Sequence, residues 1–238
     1  MSRARRRRAS WSRPWAADAL NHSNARKRLM SITIIGAGNV GMALGKAFTR
    51  RGETVVFGVP DPAKHRDAVA ALGHAARVAT VADAITASDV VILAVPYGAV
   101  ADIARSVPDW QGRILVDATN PLAPGLSGLS VGTTTSGAET LAALARGARV
   151  VKAFNTTGAE NMADAHYPGG TPFMPVCGDD NAARQRVMAL ATLAGFDAVD
   201  LGPLMAARYL EPFAMTWIHL ALKQGYGRNF AFAVLRRE

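Results

Sequence analysis

The stretch Ser31-Ile-Thr-Ile-Ile-Gly-Ala-Gly-Asn-Val-Gly41 decides the fold, because it joins a short apolar strand directly to a glycine-patterned helix start. In this spacing the first glycine permits a tight turn, and the third allows the helix to pack closely on the strand. The second, Gly38, leaves room for a diphosphate. The N-terminus of such a helix presents unpaired N–H groups and a partial positive charge. The stretch therefore predicts a cradle for the phosphates of a dinucleotide.

The sequence on either side of the glycines supports this interpretation. Val40, Leu44 and Phe48 recur at helical spacing, and a second β-rich run follows at 54–58. Further apolar runs, each separated from the next by helical or loop sequence, lie at 89–95, 114–117, 148–154, 173–177 and 197–201. Alternation of this kind predicts an α/β fold of the Rossmann type, a doubly wound and mainly parallel sheet over residues 30–202.

Residues 203–238 are predicted to be helical, with Pro212 kinking or dividing the segment. One apolar face carries Phe213 and Trp217, and another carries Met215 and Ile218. A helix that is apolar on two sides is usually buried between two layers. We therefore expect these helices to provide a contact in a homodimer. A helix lying on a membrane surface is the alternative, but it would need more Lys and Arg.

The positive charge of the chain is concentrated at its start. The 238 residues carry a formal net charge of +9, and residues 1–29 hold nine of the 27 basic residues but only one of the 18 acidic residues. We predict that this segment is a disordered basic arm, or that translation starts at Met30 and the arm is an artefact of start assignment. Binding of nucleic acid or anionic lipid by the arm is the less favoured alternative. No apolar run is long enough to span a bilayer, so we expect a soluble protein without membrane contact.

Cysteine and histidine usage argues against a disulfide and against a metal site. Cys177 is the single cysteine, which fits a reducing cytoplasm, and its strand-like surroundings indicate a buried thiol rather than a nucleophile. The five histidines show no paired ligand spacing, so no metal is expected.

A loop rich in Gly, Ser and Thr occupies residues 121–135. It is longer than a typical connection between elements, and loops of this length are often functional. It ends at Ser136-Gly-Ala-Glu139, an S-x-x-E capping box in front of a helical run. We interpret Glu139 as a helix-capping acid in preference to a catalytic one.

The choice of nucleotide depends on the end of the second strand. NAD is normally held there by an acid on the ribose 2′-OH, but this chain has Phe57-Gly-Val-Pro60. The nearest acid, Asp61, is better explained as a helix N-cap. Lys64, with His65 and Arg66, follows within one helical turn and can pair with a 2′-phosphate. This favours NADP over NAD, while an exposed helix face is the alternative explanation of these side chains.

Several longer motifs resemble the NADPH-dependent reductases of coenzyme F420, a deazaflavin, and the related oxidoreductase domain of the six-transmembrane epithelial antigen metalloreductases. The resemblance covers about residues 30–224. The motifs that carry it are Ile35-Gly-Ala-Gly-Asn-Val-Gly41, Ala94-Val-Pro96, Ala118-Thr-Asn-Pro-Leu122, Val151-Lys-Ala-Phe-Asn-Thr156, Val199-Asp-Leu-Gly-Pro-Leu204 and Ala207-Arg-Tyr-Leu-Glu211.

The resemblance implies a Rossmann-fold enzyme, often dimeric, that passes hydride between NADP and a deazaflavin or flavin acceptor by positioning the two rings, with no obligatory catalytic acid or base. The positions it assigns to the cofactor, together with the two proposed 2′-phosphate ligands, are Gly36, Gly38, Asn39, Val40, Gly41, Lys64, Arg66, Val95, Pro96, Tyr97, Asn120 and Pro121. The candidates for the acceptor pocket are Phe154, Asn155, Thr156 and Leu204.

This chain departs from the family pattern after the second strand, where family members commonly carry a Ser-Arg pair for the 2′-phosphate and this chain has Val59-Pro60. NADP binding would then depend on Lys64 and Arg66. Two other functions stay open on the sequence. One is an NAD(P)-dependent reductase of a small substrate, as in the proline-biosynthetic and β-hydroxyacid-type enzymes. The other is a sensor that binds NADP without turnover.

Overall fold

The computed structural model describes residues 31–237, and its main feature is one sheet of eight strands in the order β3-β2-β1-β4-β5-β6-β7-β8. The strands are β1 (Ser31–Ile35), β2 (Thr54–Val59), β3 (Ala76–Thr80), β4 (Val90–Leu93), β5 (Ile114–Asp117), β6 (Arg149–Lys152), β7 (Phe173–Gly178) and β8 (Asp197–Asp200). The helices are α1 (Asn39–Thr49), α2 (Pro62–Ala70), α3 (Val81–Ile85), α4 (Val100–Ser106), α5 (Gly137–Leu144), α6 (Ala159–Ala163), α7 (Asn181–Ala194) and α8 (Ala207–Lys223). This architecture confirms the predicted fold class.

All neighbouring strands run parallel except β6 and β7, which are antiparallel. The central strands bury both faces, as the continuous apolar sequences of β4 and β5 require. Because β1 lies between β2 and β4, the direction of winding reverses beside its carboxyl end. Open α/β sheets bind their ligands in the crevice at such a reversal.

Two apolar cores hold helices on the two faces of the sheet. Leu44 and Phe48 of α1 lie in one core together with Leu190 of α7. The other core contains Leu141 of α5, Trp110 from the loop after α4, and the start of α8. Each large side chain buried in this way contributes roughly 1.5–3 kcal/mol of transfer free energy. The cores therefore fix the strand ends, and with them the loops that line the crevice.

The C-terminal segment differs from its prediction in two ways. The helix α8 runs without division through Pro212, which lies on the exposed side of the helix, while Leu210, Ala214 and Trp217 are buried. Proline removes a single backbone hydrogen bond, and burial of the opposite face offsets that loss. The prediction that Pro212 divides the helix was therefore wrong.

The helix also ends at Lys223, and the segment that follows is not helical, contrary to the prediction for residues 203–238. Gly225 and Gly227 adopt positive φ angles of 75° and 71°, which interrupt the helix. Residues 224–237, here called the C-terminal strap, fold back over α8. The Phe230 ring stacks on the Trp217 ring with centroids 5.3 Å apart. The Phe230 carbonyl accepts hydrogen bonds from Trp217 Nε1 and from the Asn161 amide of α6.

The predicted basic arm, residues 1–29, lies outside the described residues. Within residues 31–237 no helix has both the length and the apolar character needed to cross a bilayer. In the same range no group of three or more His, Cys, Asp or Glu side chains is placed to hold a metal ion.

Candidate functional site

The turn between β1 and α1 requires glycine at two of its three motif positions. Gly36 has a φ of 104°, and a Cβ there would collide with the carbonyl oxygen of Ala94. A Cβ on Gly41 would collide with the carbonyl oxygen of Gly36. Gly38 is different, because a Cβ built on it meets no atom within 4 Å. Steric contacts within the fold thus account for Gly36 and Gly41, whereas no contact in the described protein requires glycine at position 38.

The open space at Gly38 lies at the N-terminus of α1. Gly38 is the N-cap in an extended conformation, and no side chain caps the helix. Gly38 and Asn39 are exposed and Val40 is half-buried, and the first turn contains no acid that would repel an anion. Free N–H groups beside a position without a Cβ fit a diphosphate. Binding of phosphate by these residues stays a prediction.

The basic side chains proposed for the 2′-phosphate follow the end of β2. Asp61 is the N-cap of α2 and accepts a hydrogen bond from the Ala63 amide, which confirms the capping interpretation. The Lys64 ammonium lies 3.4 Å from the Asp61 carboxylate, and 77% of its side chain is exposed. Arg66 is exposed on the same helix. Binding of a 2′-phosphate by these two exposed side chains stays a prediction.

The second wall of the crevice begins where β4 and β5 end. Val95 and Tyr97 are half-buried after β4, with Pro96 exposed between them. The Tyr97 ring lies against Gly137 at the start of α5, since a Cβ on Gly137 would come within 2.9 Å of it and within 3.4 Å of Pro121. The structure therefore brings these predicted nicotinamide positions together beside the N-terminus of α5.

The loops after β5 and β6 are joined by a reciprocal amide pair. The Asn120 side chain donates to the Asn155 carbonyl oxygen at 2.9 Å, and the Asn155 amide donates to Asn120 Oδ1 at 3.0 Å. The Asn155 amide also lies 3.3 Å from the carbonyl oxygen of Leu210 in α8. The pair thus connects the predicted cofactor wall with the predicted acceptor wall and with the C-terminal helix.

Two of the four acceptor candidates belong to the core. The Phe154 side chain is fully buried and packs edge-to-face on Phe48, with the ring centroids 6.3 Å apart. Leu204 is 4% exposed and packs in the core on the α5 side of the sheet. Both side chains are therefore buried in this conformation, and their role in an acceptor pocket stays a prediction. Phe154 has a positive φ of 61°.

The other two acceptor candidates carry buried oxygens with no partner. Asn155 and Thr156 are 5% and 2% exposed, and within the described part of the chain neither Asn155 Oδ1 nor Thr156 Oγ1 has a hydrogen-bond partner. A buried polar atom that stays unpaired costs about 1–3 kcal/mol. Such atoms are rare in folded proteins and are often found at functional positions.

A buried charge network lies beneath this end of the crevice and was missed by the sequence reasoning. The Lys152 ammonium lies 2.8 Å from Asp117 Oδ2 and 3.0 Å from Glu211 Oε1, with all three side chains at most 1% exposed. Burial lowers the pKa of Lys152, but the negative charges of Asp117 and Glu211 together outweigh burial, and the pKa lies above its ordinary value. The available signal was a lysine inside the apolar sequence of β6 and a glutamate on the apolar face of α8.

The capping box before α5 is confirmed, and its acid has a second partner. Ser136 Oγ accepts from the Glu139 amide at 3.1 Å. The Glu139 carboxylate is held by both Arg208 Nε and Nη2, at 2.9 Å and 2.7 Å. The hydrogen bond from Arg208 lowers the pKa of Glu139. Glu139 therefore fastens α8 to α5.

The thiol of Cys177 is fully buried and unpaired with another cysteine, as the interpretation of a core thiol requires. Burial raises its pKa to about 12. A thiol with this pKa carries almost no thiolate at neutral pH and is a poor nucleophile.

Comparison with known proteins places this crevice in a family. Residues 31–121 match the family model described as NADP oxidoreductase coenzyme F420-dependent. The F420-dependent NADP reductase of Methanothermobacter thermautotrophicus is 30% identical over 211 residues, which cover 82% of this chain and 90% of that protein. The metalloreductase STEAP3 of Rattus norvegicus is 28% identical over 185 residues, covering 78% of this chain but 36% of its own length. The chain thus spans about a third of that relative.

A solved structure gives the same result for the fold. A protein of Arthrobacter sp. FB24, assigned as an F420-dependent NADP reductase, superposes with a TM-score of 0.74 at 29% identity. The match covers 87% of this chain and 100% of the other.

Proposed function

This chain belongs to the family of F420-dependent NADP reductases, and we propose that it transfers hydride between NADP(H) and a deazaflavin, coenzyme F420, with flavin as the alternative acceptor. The observation that carries the proposal is the open space at Gly38 beside the uncapped N-terminus of α1. Glycine is required on both sides of this position by the fold, and at Gly38 the space that a side chain would fill is open and suits an approaching ligand.

The residues present fit a dinucleotide extended across the carboxyl ends of β2, β1, β4 and β5. The diphosphate would lie against the backbone of Gly38, Asn39 and Val40, and the nicotinamide half against Tyr97 and Asn120. The bound nicotinamide supplies the hydride, and the protein contributes position and electrostatics. Holding both rings in contact distance lowers the entropic part of the barrier without a catalytic acid or base.

The acceptor would enter from the β6 side of the crevice. Support comes from the unpartnered oxygens of Asn155 and Thr156, which accept hydrogen bonds and are suited to N–H donors of a deazaflavin or flavin ring after a local adjustment of the loop. The Asn120 pair keeps this loop at a fixed distance from the cofactor wall.

We propose NADP rather than NAD because no acid follows β2 and two exposed cations do. If Lys64 and Arg66 hold the 2′-phosphate, the variants K64A and R66A should each lose about tenfold or more of the preference for NADPH over NADH. R186A is the matched control, since Arg186 lies on α7, which packs on β7 and β8. Equal binding of NADH and NADPH by the wild-type protein would contradict the assignment.

A homodimer and a cytoplasmic location stay predictions. The half-buried Met215 and Ile218 leave part of the outer face of α8 free for a second copy. Sedimentation of the full chain with and without the variant M215E/I218E tests this. A dimer that dissociates in the variant supports the contact, and a wild-type monomer contradicts it.

Iron reduction is not part of the proposal, because the match to the metalloreductase covers about a third of that protein's length.

The function is tested by mixing purified protein and NADPH with F420, FMN or FAD in separate assays. Oxidation of NADPH coupled to reduction of F420 supports the proposal, and coupling to FMN or FAD alone supports the flavin alternative. Tight binding of NADPH with no turnover on any of the three would overturn it in favour of a sensor.

A further inference from the structure

The buried network of Asp117, Lys152 and Glu211 uses every donor and acceptor that it contains. The Lys152 ammonium has three N–H groups, and it has three acceptors: the two carboxylates and the Thr119 carbonyl oxygen at 2.7 Å. Asp117 Oδ1 accepts from the Thr119 amide and hydroxyl at 2.9 Å and 2.7 Å. Glu211 accepts from the backbone amides of Gly137 and Ala138, at 2.9 Å and 3.1 Å.

Each of the four carboxylate oxygens accepts at least one hydrogen bond, and the donors are N–H groups except for the Thr119 hydroxyl on Asp117 Oδ1. The Lys152 ammonium lies within 3.0 Å of both carboxylates, and an opposite charge at this distance stabilises their ionised forms. Two negative charges therefore face one positive charge in a region at most 1% exposed. The neighbouring pair of Glu139 and Arg208 is neutral as a whole, and Cys177 is a neutral thiol. The network keeps one surplus negative charge.

The surplus charge lies directly behind the proposed nicotinamide wall. Glu211 holds the first two amides of α5, at the point where Gly137 meets Tyr97 and Pro121. Lys152 holds the carbonyl oxygen of Thr119, the residue before Asn120. Protein rather than water separates the charge from the crevice, so its field is weakly screened.

We propose that this surplus negative charge favours the oxidised nicotinamide over the reduced one and so tunes the protein toward hydride donation from NADPH. The inference rests on the proposed function, which puts the nicotinamide at this wall. When a hydride, with its two electrons, leaves C4 of the neutral reduced ring for the acceptor, the ring is left with one positive charge. A fixed negative charge in a region of low dielectric stabilises that product and the transition state leading to it.

The test is the ratio of two dissociation constants, Kd for NADPH over Kd for NADP⁺, measured by calorimetry on the intact protein. E211Q and D117N each remove the surplus charge with little change in shape, and both should lower the ratio by about threefold or more. E139Q is the matched control, because Glu139 lies in a half-buried pair on the same helix that Glu211 caps, and its ratio should stay unchanged. The double variant K152M/E211Q carries one net negative charge again and should return the ratio toward the wild-type value.

The outcomes separate this inference from the proposed function. If the wild-type protein binds neither form, the proposed function fails. If both forms bind and the affinities of E211Q and D117N change in parallel, the network serves the fold alone and the inference is overturned. We expect the amide variants to fold, because each leaves a neutral buried pair. Loss of the cooperative thermal transition in both would show that the fold needs the second carboxylate, which would also overturn the inference.

Discussion

Asn120 and Asn155 exchange hydrogen bonds across the crevice, one from side chain to backbone at 2.9 Å and one between side chains at 3.0 Å. The two residues are 35 positions apart and lie in the loops that follow β5 and β6. The pair therefore sets the separation between the proposed cofactor wall and the proposed acceptor wall.

Replacement of Asn155 by alanine should loosen that separation. We expect N155A to raise the KM for the acceptor severalfold and to lower the free energy of unfolding by about 1–2 kcal/mol, because Asn120 Oδ1 and the Leu210 carbonyl oxygen both lose their donor. Steady-state kinetics and urea denaturation measure the two effects. In a double-mutant cycle with N120A, the losses should be less than additive, and fully additive losses would show that the pair is not coupled.

The glycines of the β1–α1 turn should respond in opposite ways to a side chain. G38V should keep the melting temperature within a few degrees of wild type and abolish NADPH binding, because its side chain enters the space left open for the diphosphate. G41A should lose several kcal/mol of stability, because its Cβ collides with the Gly36 carbonyl oxygen. Thermal melts and NADPH titrations distinguish them. Undiminished NADPH binding by G38V would contradict the proposed site.

The C-terminal strap should stabilise the fold through Phe230. F230A removes the stacking on Trp217 and exposes the hydrogen bonds that the Phe230 carbonyl accepts from Trp217 and Asn161, so we expect a loss of about 2 kcal/mol. L235A, in the same strap but at a side chain that is 89% exposed, should change stability by less than about 0.5 kcal/mol. Guanidinium denaturation measures both, and equal values would show that the strap is not docked in solution.

The ion pair between Glu139 and Arg208 should make part of the stability depend on pH. Its hydrogen bonds hold the pKa of Glu139 below the ordinary value of 4.5. A carboxyl whose pKa is depressed by folding stabilises the protein above its unfolded pKa, and this contribution disappears as the pH falls through the folded value. E139Q should therefore be less stable than wild type at pH 7, and the two should converge below pH 4.5. A constant difference at all pH values would contradict this.

Local sequence was sufficient to predict the sheet and the glycine turn. Apolar runs such as that of β4 require burial on both faces, and the Gly36 to Gly41 spacing fits one kind of turn, so both follow from neighbouring residues. The positions of the C-terminal elements depend on distant contacts. Burial of one face keeps α8 intact at Pro212, and the strap is held by an aromatic contact between Trp217 and Phe230.

Within the site, too, the arrangement of some residues depends on contacts that are distant in the sequence. Asp117, Lys152 and Glu211 are separated by 35 and 59 positions, and each alone is an ordinary charged residue at an element end or on a helix. The pairing of β5 with β6 places Asp117 beside Lys152, and the packing of α8 on α5 adds Glu211. The burial of Phe154 and its positive φ of 61° likewise leave no signal in the neighbouring sequence.

Direct hydride transfer from NADPH to F420 is the central claim, and isotope labelling tests it most directly. The protein is incubated in water with F420 and NADPH that carries deuterium at nicotinamide C4, prepared separately as each of the two stereoisomers. A deazaflavin accepts the hydride on carbon, so the label is retained there. We predict one deuterium per reduced F420 from one stereoisomer and none from the other. Absence of deuterium from F420 with both, or no oxidation of bound NADPH, would contradict the account.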